Sequence, residues 1–144
     1  LLNVDKIISK YDIIVDCTDN HSSKLIINDA CYRGKKTLVY ASVSGFFGQV
    51  STFKSFKIDG TGNPYPSYRC LKINQNNEDD CEHLGVLGPI AGVLGSIQAT
   101  EVIKQILDEK ENLLGQLLIF DGLSYRMKLI KINWDQNNPL NGKS

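Results

Sequence analysis

Residues 11–41 read YDIIVDCTDNHSSKLIINDACYRGKKTLVYA, and the order of patterns inside them decides the fold. Ile13, Ile14 and Val15 form a β-branched run bounded by polar residues, the mark of a strand buried in an α/β sheet. The run ends in Asp16-Cys17-Thr18-Asp19-Asn20, a cluster rich in helix-capping residues. From about 21 to 33, Leu25, Ile26, Ala30 and Cys31 recur at helical spacing until Gly34 stops the pattern. Thr37-Leu38-Val39-Tyr40-Ala41 then reads as a second buried strand. Strand, helix, strand over about 30 residues is one βαβ unit, which predicts a parallel pairing and a right-handed crossover.

Working outward, Gly45 to Phe53 (GFFGQVSTF) suggests a strand entered through a glycine-marked bend. Residues 59–66 (DGTGNPYP) and the acidic run 74–80 (NQNNEDD) read as mobile loops. A long helix is expected from Pro89, suited to a first helical position, to about Leu107. Ile90, Val93, Leu94, Ile97, Ile103, Ile106 and Leu107 supply its apolar contacts. Gly88, Gly92, Gly95 and Ala99 share one face and leave it nearly bare. Each interior glycine costs roughly 1 kcal/mol against alanine, so the stripe asks for a compensating close approach: the sheet, a partner helix or a ligand. Leu117–Phe120 and Lys128–Ile132 flank a turn at Asp121-Gly122 and predict an antiparallel pair. No internal repeat is visible.

The chain has 144 residues, 42% hydrophobic and 22% charged, which fits one globular domain or a lobe of one. Sixteen basic residues balance sixteen acidic ones, which removes the electrostatic case for direct nucleic-acid binding or an anionic membrane surface. The longest uncharged apolar stretch, Leu84–Ala99, contains Pro89, Ser96 and Gln98 and falls short of the roughly 20 residues that cross a bilayer. The first residue is Leu1, not Met, so the natural start is expected to lie upstream. Four cysteines at 17, 31, 70 and 81, with no C-x-x-C pair, point to free thiols in a reducing compartment, hence the cytoplasm.

In open α/β sheets, ligands sit outside the carboxyl ends of the strands, which places Asp16-x-x-Asp19-Asn20 where chemistry is expected. Asp19 with its neighbouring amide suits Mg²⁺ held against phosphate oxygens, because Mg²⁺ typically takes only one or two protein carboxylates. Helix capping by Asp19 or Asn20 explains the same spacing equally well. Cys81, followed by Glu82-His83, reads either as a nucleophile whose thiolate His83 favours or as an incidental loop cysteine. Cys17 and Cys31 lie in apolar patterns and read as core, and His21 reads as solvated.

DCTDN (16–20), GFFGQV (45–50), YRCL (68–71), Cys81 and the block GVLGPIAGVLGSIQATEVIK (85–104), and LLIFDG (117–122) occur in this order. With these motifs the chain resembles the C-terminal half of the ThiF/MoeB family, over about residues 11–132. These are adenylyltransferases that activate ubiquitin-like sulfur carriers, the eukaryotic Uba-type sulfurtransferases among them. The resemblance implies an α/β, Rossmann-like fold, with a mixed, mostly parallel sheet, flanking helices and a C-terminal antiparallel strand pair. It makes residues 1–144 the C-terminal part of a single adenylyltransferase domain that works as a homodimer.

The implied reaction uses Mg-ATP to adenylate the C-terminal glycine of a ubiquitin-like or sulfur-carrier protein, ahead of sulfur transfer or conjugation. Asp19 matches the family's Mg-ATP aspartate and Asn20 its companion near the nucleotide. Cys81 matches the position where some members carry a cysteine that links covalently to the carrier. The family's glycine-rich nucleotide loop and phosphate-contacting basic residues belong to its N-terminal half, so this chain alone is not expected to bind ATP tightly. A family arginine after the asparagine is replaced by Lys24, which conserves the charge. Members often hold a structural zinc with two C-x-x-C pairs; here the first is Ser67-x-x-Cys70 and the second is Asn138-Pro139-Leu140-Asn141, so no zinc site is expected. A non-catalytic dimerisation or carrier-docking module is the competing reading.

Overall fold

The structure, a computed structural model, describes residues 3–71 and 85–143. A short helix, α1 (Val4–Ile8), precedes the βαβ unit. The unit itself forms as the sequence predicts. β1 (Ile13–Asp16), α2 (His21–Arg33) and β2 (Thr37–Ser44) follow in order, and the two strands run parallel with Ile13 opposite Thr37 and Asp16 opposite Tyr40. Asn20 caps α2: its side-chain oxygen accepts from the Ser23 amide at 2.8 Å. Gly34 closes the other end.

Beyond β2 the sheet is antiparallel. β2 turns into β3 (Phe47–Phe53) through Gly45-Phe46, with Gly45 at φ +55°, a left-handed value that favours glycine. The long helix α3 (Gly88–Ile106) leads to β4 (Gln116–Asp121), which pairs with β3 and, past the Asp121-Gly122 turn, with β5 (Arg126–Lys131). The strands lie in the order β1-β2-β3-β4-β5. The sheet is mixed, and the expected C-terminal antiparallel pair is there. Its balance differs from the expectation, since among the described residues only β1–β2 is parallel. Tight turns, which can join only antiparallel neighbours, account for β2–β3 and β4–β5; β3 and β4 are antiparallel although α3 lies in the long connection between them.

Each face of the sheet carries a core. On one side Leu38, Tyr40 and Phe53 pack with Ile8, Ala30, Cys31 and Tyr68 beneath α1 and α2. On the other, Val50 and Phe120 pack with Ile90 and Leu94 of α3.

The orientation of α3 departs from expectation. Its buried residues are Ile90, Leu94, Gln98 and Glu101, whereas Val93, Ile103, Ile106 and the following Leu107 are exposed. Gln98 donates to the carbonyls of Asp16 (2.9 Å) and Val39 (3.0 Å), and Glu101 accepts from the Leu113 amide (2.8 Å) and the Thr52 hydroxyl (3.2 Å). These bonds satisfy backbone groups that burial would otherwise leave unpaired, which is why two polar side chains face the sheet. The glycine stripe points away from the sheet, and no described neighbour lies within 4 Å of a Cβ built at Gly88, Gly92 or Gly95. Packing of that stripe on the protomer's own sheet is thus ruled out. No described helix is long and apolar enough to cross a membrane.

Candidate functional site

The carboxyl end of β1 and the first turn of α2 bring Asp16, Asp19, Asn20, His21 and Lys24 together. Asp16 is only 1% exposed. One of its oxygens accepts from the Thr18 amide (2.8 Å) and hydroxyl (2.7 Å), and the other from Lys24 Nζ at 3.1 Å. Lys24 Nζ also donates to the Ala41 carbonyl at 2.8 Å and sits 4.9 Å over the Tyr40 ring. A buried carboxylate and a buried ammonium neutralise one another here, as burial demands. Lys24 therefore points inward and its charge is committed to Asp16, so conserving a cation at this position does not supply one to a phosphate.

With that pair closed, Asp19 stands apart. It is exposed, and its carboxylate accepts one long bond, 3.3 Å, from Asn20 Nδ2. Asn20 is occupied as the cap, its oxygen also accepting from the Ser22 hydroxyl at 2.9 Å. The two readings of the TDN spacing thus divide between the two residues: the amide caps, and the carboxylate stays open to solvent. A single carboxylate at a strand's carboxyl end fits a cation held mainly by phosphate oxygens. Among the described residues no three His, Cys, Asp or Glu side chains cluster to hold a metal by themselves.

Two expectations about neighbouring residues change. His21 is half-buried, not solvated, because its Nδ1 lies 2.8 Å from the Tyr68 hydroxyl. Cys17 is exposed, not core, with its thiol donating toward Gln98 Oε1 at 3.7 Å. Cys31 is core as expected, and burial, aided by the Asp16 carboxylate, pushes its thiol up to about 12. It stays protonated and unreactive at neutral pH. Cys81 and His83 lie outside the described residues, as does the acidic run 74–80.

The YRCL motif also finds a physical role. The Tyr68–Leu71 turn docks on α2 through the Tyr68 amide to Asn28 Oδ1 (3.0 Å) and a two-pronged Arg69–Asp29 pair (2.8 and 2.6 Å). The Asp29 carboxylate raises the Arg69 pKa. Sequence reasoning missed Gln98 and Glu101 as well. Their signal was a polar side chain set inside an apolar helical run.

A family model described as the ThiF family matches residues 2–140. The chain belongs to the ThiF family. Among curated ThiF-like relatives, it is 38% identical over 131 residues to the probable molybdopterin-synthase adenylyltransferase of Porphyra purpurea, covering 91% of this chain and 34% of that one. It is 39% identical over 136 residues to the adenylyltransferase and sulfurtransferase MOCS3 of Dictyostelium discoideum, covering 92% and 30%. The chain thus spans about a third of the length of the curated relatives it matches. Its fold matches E. coli MccB, solved with ATP, at a TM-score of 0.68 and 18% identity, over 99% of this chain and 43% of that one. A second MccB structure, with AMPCPP and MccA, gives 0.70 and 19%, over 99% and 44%. At those identities the likeness establishes the ThiF-type fold alone.

Proposed function

We propose that this chain is the C-terminal part of an enzyme that adenylates the C-terminal glycine of a ubiquitin-like or sulfur-carrier protein, ahead of sulfur transfer or conjugation. The observation that carries the reading is the open Asp19 carboxylate at the carboxyl end of β1, beside a charge pair that is already neutralised. The names of the relatives, adenylyltransferases all, agree with it.

In the proposed reaction a carboxylate oxygen of the carrier forms a bond to the α-phosphorus of ATP. The bond from that phosphorus to the bridging oxygen breaks, and pyrophosphate leaves with the electron pair. The acyl-adenylate that results carries a good leaving group, so a sulfur nucleophile can attack the carbonyl and expel AMP. Mg²⁺ supplies neutralisation of phosphate charge during the transfer. Asp19 would hold that ion. Asn20 fixes the position of Asp19 by capping α2 and bonding its carboxylate. Cys81 is the proposed site of a covalent link to the carrier, and the exposed outward face of α3 the proposed contact of a homodimer.

ATP–pyrophosphate exchange by the full-length protein with candidate carriers tests this. Asp19→Asn should lower carrier-dependent exchange by about 100-fold or more, through loss of transition-state charge stabilisation. The thermal melt should barely move, since an exposed side chain without buried partners contributes little to stability. Full exchange in a folded Asp19→Asn protein sinks the assignment. Loss of exchange in every wild-type preparation would favour the docking module instead.

A further inference from the structure

The two pairs of positions that resemble a zinc site hold other chemistry, and the structure shows what it does. Ser67, Cys70 and Asn138 are all buried and converge. The Asn138 amide nitrogen donates to Ser67 Oγ at 2.8 Å and to Cys70 Sγ at 3.2 Å, while its oxygen accepts from the Leu140 amide at 3.0 Å. Asn141 points elsewhere. Its nitrogen donates to the carbonyls of Ser55 and Tyr65, both at 3.0 Å, and its oxygen accepts from Trp134 Nε1 at 3.2 Å.

These donors do not fit zinc. A structural zinc takes four thiolate or imidazole ligands at about 2.0–2.3 Å, and the four positions offer one thiol, one hydroxyl and two amides. An amide N–H group also stands between the hydroxyl and the thiol, where a shared ion would have to sit. Both N–H donors of each asparagine are used, and each side-chain oxygen accepts a bond. The backbone tightens the same knot. The Gly142 amide donates to the Asn138 carbonyl at 2.8 Å, and a Cβ on Gly142 would meet that carbonyl oxygen at 2.5 Å.

We propose that Asn138 and Asn141 form a metal-free clasp, which closes residues 134–143 onto the Ser55–Cys70 segment in place of a structural metal. Folding of this part of the chain then needs no zinc, and Cys70 serves as a hydrogen-bond acceptor, not a ligand. The inference stands independently of the adenylation reading.

The test uses the full-length protein. Asn138→Ala leaves the Ser67 and Cys70 acceptors without their shared donor, so the melting temperature should fall by about 3–8 °C. Amide hydrogen exchange should quicken in 134–143 and 67–71. Ser67→Ala removes one acceptor only and should show the same pattern at smaller amplitude, which keeps the test readable if Asn138→Ala does not fold. Excess EDTA should leave the wild-type melt unmoved. Unchanged melts and exchange in both variants would overturn the clasp. So would about one zinc per chain that Cys70→Ser removes.

Discussion

Two sets of glycines meet at α3, and they do opposite things. Gly48 on β3 and Gly122 after β4 lie under the helix. A Cβ at Gly48 would fall inside the Leu94 side chain and 3.1 Å from the Ser42 carbonyl, and one at Gly122 would sit 2.5 Å from Ile90 Cδ1 and 2.9 Å from the Phe46 carbonyl. Those absent side chains are the space that Ile90 and Leu94 fill. On the far side of the helix, Gly88, Gly92 and Gly95 have no described neighbour within 4 Å of a built Cβ. The close approach that the glycine-striped helix predicts is made through sheet glycines and helix leucine and isoleucine. A helix stripe of small residues therefore does not mark the packed face. It leaves an outward surface that no described residue of the chain covers.

The largest expected effect lies on the packed side. Gly48→Val puts three carbons where Leu94 already sits, in a core where Leu94 is 1% exposed and has nowhere to retreat. Overpacking of this kind costs typically 1–3 kcal/mol and at times more, so a loss of about 3 kcal/mol in chemical denaturation is expected. The contact can be isolated by a cycle with Leu94→Ala, which alone costs about 2–5 kcal/mol. The double variant should lose less than the sum of the singles. Strict additivity would mean that the helix does not seat on Gly48.

On the open side, Gly95→Leu should not lower the melt of the monomer and should raise it slightly, because leucine suits a helix interior better than glycine and no described atom of its own chain is displaced. If the outward face is a two-fold contact, one bulky side chain is met twice per dimer. About 1.4 kcal/mol of disturbance weakens association tenfold, and sedimentation at several concentrations would resolve a change on that order. An unchanged dimer constant would remove this face from the interface and leave its apolar residues without the partner proposed for them.

What could be read from the sequence follows the same division between local and long-range physics. The βαβ unit was legible because its signals are local: a β-branched run, the Asn20 cap, Gly34 as the stop. Pro89 and the Asp121-Gly122 turn marked their boundaries for the same reason. α1 spans five residues, too few to show a period. The facing of α3 was illegible because its apolar residues surround most of the helix. Gln98 and Glu101 turn inward only because β1, β2 and the Leu113 amide offer buried partners distant in sequence. Lys24 was illegible in the same sense. A cation one turn after TDN looks available to a phosphate until the fold sets Asp16 against it. Of the candidate site, the adjacency of Asp19 and Asn20 was legible, but which of them caps and which stays open was a matter of geometry.

The smallest effect gives the sharpest reading of the open face. Gly92 lies in the interior of α3, with a negative φ that any residue can adopt and no described neighbour within 4 Å of a built Cβ. Its carbonyl accepts a bond from the Ser96 hydroxyl at 2.9 Å, and a methyl on the Cα leaves that bond in place. Gly92→Ala should therefore stabilise the folded chain by about 0.5–1 kcal/mol, chiefly because alanine leaves the unfolded chain less conformational freedom to lose. The gain is expected in dilute protein, where any dimer has dissociated, and should be read by chemical denaturation. If another backbone lies on the stripe in the assembled protein, the same methyl should destabilise at high concentration, reversing the sign. A gain at both concentrations would mean that nothing approaches Gly92 closely. A loss at high dilution would mean that α3 does not face outward as described, and the contrast between the two sets of glycines would fail.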